Sequence, residues 1–459
     1  VTATLSPPPG LFTPRLRAMT VGSVALISLL AFEALAVGTA MPTVARSLDG
    51  LALYGLAFGG PFAAGVLAMV LSGIWCDTRG PGAPMWHGLL WFVAGLVVAG
   101  TASAMEVLVV GRVVQGFGSG LLSVALYVIV GQAYPEELHR RIFAAFAAAW
   151  VVPSLVGPAL AGLVVEHLHW RWVFLAVPVV AVPAALLIRP GLRSVAAPAV
   201  TGVPAGAVAR IGWACGAGVS AALLHIGGQQ RGVFGGALSA VAIVGLLLCA
   251  PRLLPPGSLR AARGLPTVVG LRGLASAAFV GAEVVIPLML SRERGLSPTA
   301  AGLVLTVGAL FWSAGSWIQG RMAAPASRAS LPRAGLACLT AGIGTVGLTL
   351  VPGTPVAVAV LGWAVAGLGM GLLYPSLSAL TLELSAPGEQ GRSSSSLQLC
   401  DSLGAATVLA LTGAVLASGS APAAGSFLAT LAISAVLALG GALLSTRVTP
   451  ATAPPPSST

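Results

Sequence analysis

About fourteen apolar stretches, most of them near twenty residues long, follow one another through this chain. They fall at roughly 19–41, 51–75, 85–103, 107–130, 142–165, 171–188, 209–227, 233–250, 268–290, 299–320, 333–352, 355–380, 394–417 and 424–445. At about 1.5 Å per helical residue, such a run crosses about 30 Å of hydrocarbon. In lipid the backbone can be satisfied only by helices or closed barrels, and a barrel strand alternates over about 10 residues. These runs are continuous, so the fold class is an all-α polytopic membrane protein. Composition agrees, because only 8% of the residues are charged and 57% are hydrophobic, where soluble chains carry about 25% charged residues.

The first run, Met19 to Met41, holds one ionisable group, Glu33. A carboxylate in hydrocarbon is costly unless it is protonated, paired or facing water, so Glu33 is a functional-site candidate. The run is too long for a cleavable signal and lacks a small-residue cleavage site. The chain opens with Val1 instead of Met, which suggests a non-ATG start codon.

The chain also repeats itself. Residues 111–122 align with residues 362–373 as G-x-x-V-x-G-x-G-x-G-L-L, at an offset of 251. Pro135 to Arg140 align with Pro387 to Arg392 as P-x-E-x-x-R, at 252, and Glu33 aligns with Glu283 at 250. A duplicated six-span unit follows, with two spans inserted between the copies. The expected layout is a tail at 1–17, a six-helix bundle at 18–190, a linker with two inserted helices at 191–266, a second six-helix bundle at 267–446 and a tail at 447–459. Parallel halves of this kind meet at a pseudo-two-fold axis along the membrane normal, with the substrate site between them.

All 23 basic residues are Arg, and the net charge of +11 is read as membrane orientation, not nucleic-acid binding. With both termini in the cytoplasm, seventeen Arg, Arg272 among them, fall to the inner side and five to the outer. This is the bias of the positive-inside rule. Arg112 is then the one Arg within a span. Cys and His residues are scattered without metal-ligand spacing, so no metal is expected. No G-x-x-x-x-G-K-[ST] loop is present, so energy must come from an ion gradient or a partner.

Three motifs follow. Gly73, Asp77 and Gly80 match G-x-x-x-D-R-x-G between spans two and three; Thr78 replaces the usual Arg, Arg79 stands one place on, and the basic tail is lost. Small residues allow a tight turn and close helix approach, and Asp77 can meet the positive end of a neighbouring helix. Gly116 and Gly120 are four apart on one face of span four, one turn beyond Arg112. In span five, Gly157, Pro158 and Gly162 fit most of G-x-x-x-G-P-x-x-G-G, with Pro153 in place of the first glycine. A proline bend there suits an outer gate packed against the other half. Trp170, Arg171, Trp172 and Phe174 open span six.

On these motifs the chain resembles the major facilitator superfamily, and within it the fourteen-span drug:proton antiporters. The resemblance implies a proton-coupled exporter of hydrophobic or amphipathic small molecules, monomeric, in a bacterial plasma membrane, with lipid, protons and a small-molecule substrate as its partners and no cofactor. It also implies that Arg112 assists proton transfer. Glu33, Glu283 and Asp401 are the membrane-embedded carboxylates and, with Arg112, the proton-coupling candidates. Gln115, Tyr127, Trp150, Tyr374 and Gln398 are candidates for lining the cavity. Export of an endogenous lipid, siderophore or secondary metabolite remains open, as does proton-coupled import. An intramembrane enzyme or receptor would be expected to show a catalytic cluster, and none stands out.

Overall fold

The computed structural model describes residues 10–50, 53–192, 195, 202, 206–230, 232–322, 329–417 and 424–449. Arg193, Arg231 and Arg328, used above in the charge count, lie outside the described residues, as do the outermost parts of both tails. Among the described residues, fourteen helices are long and apolar enough to cross a membrane. They are α1 (Arg17–Ser47), α2 (Tyr54–Arg79), α3 (Gly82–Gly100), α4 (Met105–Ala133), α5 (Glu136–His167), α6 (Trp172–Leu192) and α7 (Ala207–Gln229). The rest are α8 (Val233–Leu253), α9 (Leu265–Arg294), α10 (Pro298–Arg321), α11 (Ser330–Gly347), α12 (Ala357–Glu383), α13 (Gln390–Ala417) and α14 (Ala424–Leu444).

Several helices outrun the apolar stretch that announces them. Helix α5 begins at Glu136, ahead of the expected 142, and α1 continues to Ser47. The i to i−4 ladder does not stop where the oil does, and the acidic pair Glu136 and Glu137 suits the positive end of α5.

Two large apolar cores organise the helices. One is built from α1–α6, with Leu26, Met41, Phe92, Leu108, Ile129, Phe143 and Phe174 buried in it. The other is built from α9–α14 around Phe279, Met289, Leu339, Trp363 and Phe427. The repeat is visible in how glycines seat these helices. A Cβ at Gly116 would lie 2.2 Å from the Pro61 carbonyl oxygen, so α4 meets α2 backbone to backbone. Its repeat partner Gly367 stands 2.1 Å, on the same measure, from the Gly308 carbonyl oxygen, and joins α12 to α10. Gly120 faces Gly65 on α2 as Gly371 faces Trp312 and Ser316 on α10.

A third, smaller core joins the halves. Val66 and Val70 of α2, Ala214, Ala217 and Leu224 of α7, Leu246 and Leu253 of α8, and Leu399 and Leu403 of α13 pack together. The two inserted helices therefore cover the seam between α2 and α13.

Candidate functional site

The halves enclose a cavity of about 610 Å3 at mid-depth. Helices α1, α2, α4 and α5 line one wall, and α9, α10, α12 and α13 the other. The lining is largely apolar and aromatic, with Phe62, Phe146, Trp150, Phe279 and Trp312 among its residues. Its ionisable members are Glu33, Arg272, Glu283 and Asp401. Apolar walls with a few convergent polar groups are the usual composition of a small-molecule site.

Glu33 is buried and paired. The Arg112 guanidinium donates to Glu33 Oε1, to Gln115 Oε1 and, through Nε, to the Ala57 carbonyl oxygen at 3.3 Å. Arg112 is 6% exposed and Glu33 7%, so Arg112 does not reach out to an interface. Gln115 is 1% exposed and holds Arg112 instead of lining the cavity, a correction to its expected place. It sits one helical turn beyond Arg112 on α4, which is why the two meet.

A second ion pair lies in the other half, and its cation was not expected there. Arg272 belongs to α9 and is 5% exposed, so it is a buried residue of a span and not part of a basic inner loop. Its Nε donates to Asp401 Oδ1 at 3.1 Å, and the Tyr374 hydroxyl donates to the same oxygen at 2.7 Å. The guanidinium also lies 3.5 Å from the Tyr374 ring centroid and donates to Ser378 Oγ at 3.3 Å. The available signal was its position, four residues inside the start of an apolar run from 268. Tyr127, Trp150, Tyr374 and Gln398 line the cavity. Glu283 lines it too, half-buried, with no hydrogen bond or ion pair among the described residues.

At the face where the described chain begins and ends, the two halves are in contact. Asp77, at the end of α2, accepts from the main-chain N–H groups of Gly391 and Arg392, in the first turn of α13. Gly73 and Gly391 bring these helices together, since a Cβ on Gly391 would stand 2.3 Å from the Gly73 carbonyl oxygen. Gly80 then turns the chain with a φ of 78°, a conformation that glycine adopts without cost. Arg79 beside it is exposed. On the opposite side of the same face, Gly320 of α10 packs against Ala144 and Arg141 of α5.

The span-five motif does not seal the other end against the second half. Gly157 has Phe32 and Leu35 of α1 as its neighbours, at 3.6 and 3.9 Å from an added Cβ, and Gly162 has nothing within 4 Å. Pro158 lies within α5, but its side chain is outside the described residues. With the halves joined at the terminal face, this part of α5 meets its own bundle.

Two repeated six-helix halves about a central cavity, in contact at one face, are the architecture of a secondary transporter. The chain belongs to the Major Facilitator Superfamily, which it matches over residues 22–407. It is similar to the Multidrug transporter protein MdtP of Bacillus subtilis (strain 168), at 27% identity over 402 residues, 84% of this chain and 72% of that protein. A probable multidrug-efflux transporter of Mycobacterium tuberculosis (strain ATCC 25618 / H37Rv) is 26% identical over 350 residues, 72% of each chain. Among solved structures, a bacterial homologue of the iron transporter ferroportin in its outward-facing state superposes with a TM-score of 0.68 at 14% identity, over 94% of this chain and 99% of that one. At that identity the likeness concerns the fold alone.

Proposed function

We propose that this transporter is a proton-coupled exporter of hydrophobic or amphipathic small molecules, a monomer in a bacterial plasma membrane with both termini in the cytoplasm. The observation that carries the reading is the buried Glu33–Arg112 pair, whose carboxylate lines the cavity. A proton arriving from outside neutralises Glu33 and dissolves the ion pair, leaving Arg112 to Gln115 and the Ala57 carbonyl. A charged and a neutral Glu33 then favour different arrangements of the halves, which is the condition for coupling. The Arg272–Asp401 pair gives the second half a comparable charged joint, held by Tyr374.

The orientation rests on the Arg distribution. Without Arg272, sixteen Arg still fall to the inner side against five to the outer. The face shut by Asp77 is then cytoplasmic, and the cavity communicates with the outside. The multidrug names of the two relatives favour export of foreign compounds over import. The test is efflux from proteoliposomes under an imposed pH gradient. Glu33→Gln should reduce gradient-driven efflux to background while leaving the protein folded and inserted; full efflux by that variant would remove Glu33 from the mechanism.

A further inference from the structure

The joint between α2 and α13 gathers two carboxylates. Asp77 accepts from the first turn of α13, and Glu389, immediately before that helix, adds a second negative charge close enough to act on it. Arg392 is engaged by Glu389, at 3.7 Å on the exposed surface. Position 78, next to Asp77, holds a threonine whose hydroxyl turns back to the Ile74 carbonyl oxygen at 2.8 Å. The inserted hairpin supplies the charge that this position lacks. Helix α7 runs antiparallel to α2: a Cβ on Gly218 would meet the Ala63 carbonyl oxygen, and one on Gly59 would meet that of Ala222 at 3.4 Å. The beginning of α7 therefore lies beside the end of α2, where Asp77 stands. Ile74, one turn before Asp77, and Trp213, one turn after Arg210, both pack against the core at the seam. Arg210 is half-buried there, close enough to Asp77, Glu389 and Arg392 to interact electrostatically with each. A neighbouring cation, Arg252 of α8, is engaged elsewhere, 4.2 Å from the centroid of the Trp213 ring.

We propose that Arg210 is a positioning residue of the Asp77 joint: the inserted hairpin lends α2 the counter-charge that position 78 lacks, and so sets how firmly the two halves hold at this face. A carboxylate caps a helix most strongly when it is ionised. A guanidinium beside it offsets both the desolvation of that charge and the repulsion from a second carboxylate. With Arg210 removed, Asp77 faces Glu389 without its counter-charge, and its hold on α13 weakens. The inference concerns the joint alone and holds whether the substrate moves out or in.

The experiment uses the purified full-length protein with its five cysteines replaced and a single Ser395→Cys reporter. Ser395 is 1% exposed and faces Gly73 across the joint, so a water-soluble maleimide reaches it when the halves part. Arg210→Gln should raise the labelling rate about fivefold or more, and Arg210→Lys, which keeps the charge, should stay within about twofold of the parent. In an Asp77→Asn background, Arg210→Gln should add less than about twofold, because the group it acts through is gone. A second reporter, Ala214→Cys, fully buried in the core at the seam, should stay unreactive in Arg210→Gln and so show that α7 remains docked. The proposal is overturned if Arg210→Gln labels at the parent rate or if Arg210→Lys labels as fast as Arg210→Gln. It is equally overturned if the Arg210 and Asp77 effects multiply, or if Ala214→Cys becomes reactive alongside Ser395→Cys, since Arg210 would then serve only to dock α7.

Discussion

Asp77 on α2 and Gly391 on α13 meet across the two halves, the Asp77 carboxylate accepting the Gly391 N–H at 2.6 Å, with the Arg392 N–H beside it at 2.8 Å. The carboxylate thereby caps the positive end of a helix that belongs to the other bundle. Hydrogen bonds to a charged group contribute about 1.5–3 kcal/mol each, enough to govern which face is shut. Asp77→Ala should loosen this closure. In a background lacking the five native cysteines, a Ser395→Cys reporter, buried beside the joint, should react with a water-soluble maleimide about tenfold faster when Asp77 is replaced. Equal labelling rates would mean that the joint is held by packing alone.

The Glu33–Arg112 pair predicts an asymmetry between single and double variants. Arg112→Ala leaves a buried carboxylate unpaired and should lower stability by about 3–5 kcal/mol. Arg112→Met combined with Glu33→Gln removes both charges and should recover most of that stability without recovering transport. Thermal unfolding in detergent, set beside vesicle efflux, reads the two effects separately. A double variant as unstable as the single one would contradict the account.

The second pair offers a graded series. Tyr374→Phe deletes one donor to Asp401 Oδ1 and keeps the ring beneath Arg272, a loss of about 1 kcal/mol. Arg272→Met strands Asp401 and should cost several times more, with partial recovery in the Arg272→Met, Asp401→Asn double variant. The measurement is again the shift in melting temperature, and equal shifts for Tyr374→Phe and Arg272→Met would show that the ion pair is not the dominant contact.

Glycines drawn from two of the sequence motifs should differ sharply. Gly116→Val must push α4 away from the Pro61 carbonyl, and overpacking of this kind costs about 1–3 kcal/mol or more. Gly162→Ala meets no neighbour within 4 Å and should stay within about 0.5 kcal/mol of the parent. Detergent melting curves of the two variants decide the point; a destabilised Gly162→Ala would mean that this part of α5 is packed after all.

Hydropathy made the number of helices legible, and the repeat made their pairing legible, since the residues at fixed offset seat equivalent helices in both halves. The comparable depths of Glu33 and Arg112 were legible, because position along a helix translates directly into height. What sequence could not supply was azimuth. Gln115 was a polar residue on a cavity-adjacent helix, but only the packing decides that it faces Arg112 and not the lumen. Arg272 went unrecognised because an Arg near the start of a span reads equally as an anchor at the headgroups. Helical spacing says which residues share a face; the neighbour met by the Gly157 face depends on how the other helices are arranged.

The core shared by α2, α7, α8 and α13 constrains how the halves can rock. On one side α7 is in backbone contact with α2, since a Cβ on Gly218 would lie 2.6 Å from the Ala63 carbonyl oxygen. On the other, Leu399 and Leu403 of α13 meet the insert through side chains, and Ser396 donates to the Leu253 carbonyl oxygen at 3.2 Å. A joint knit through main chain resists shear, whereas a greasy one tolerates it. The inserted hairpin would thus travel with the first bundle as outrigger ballast, and the slip plane of the transport cycle would run along α13.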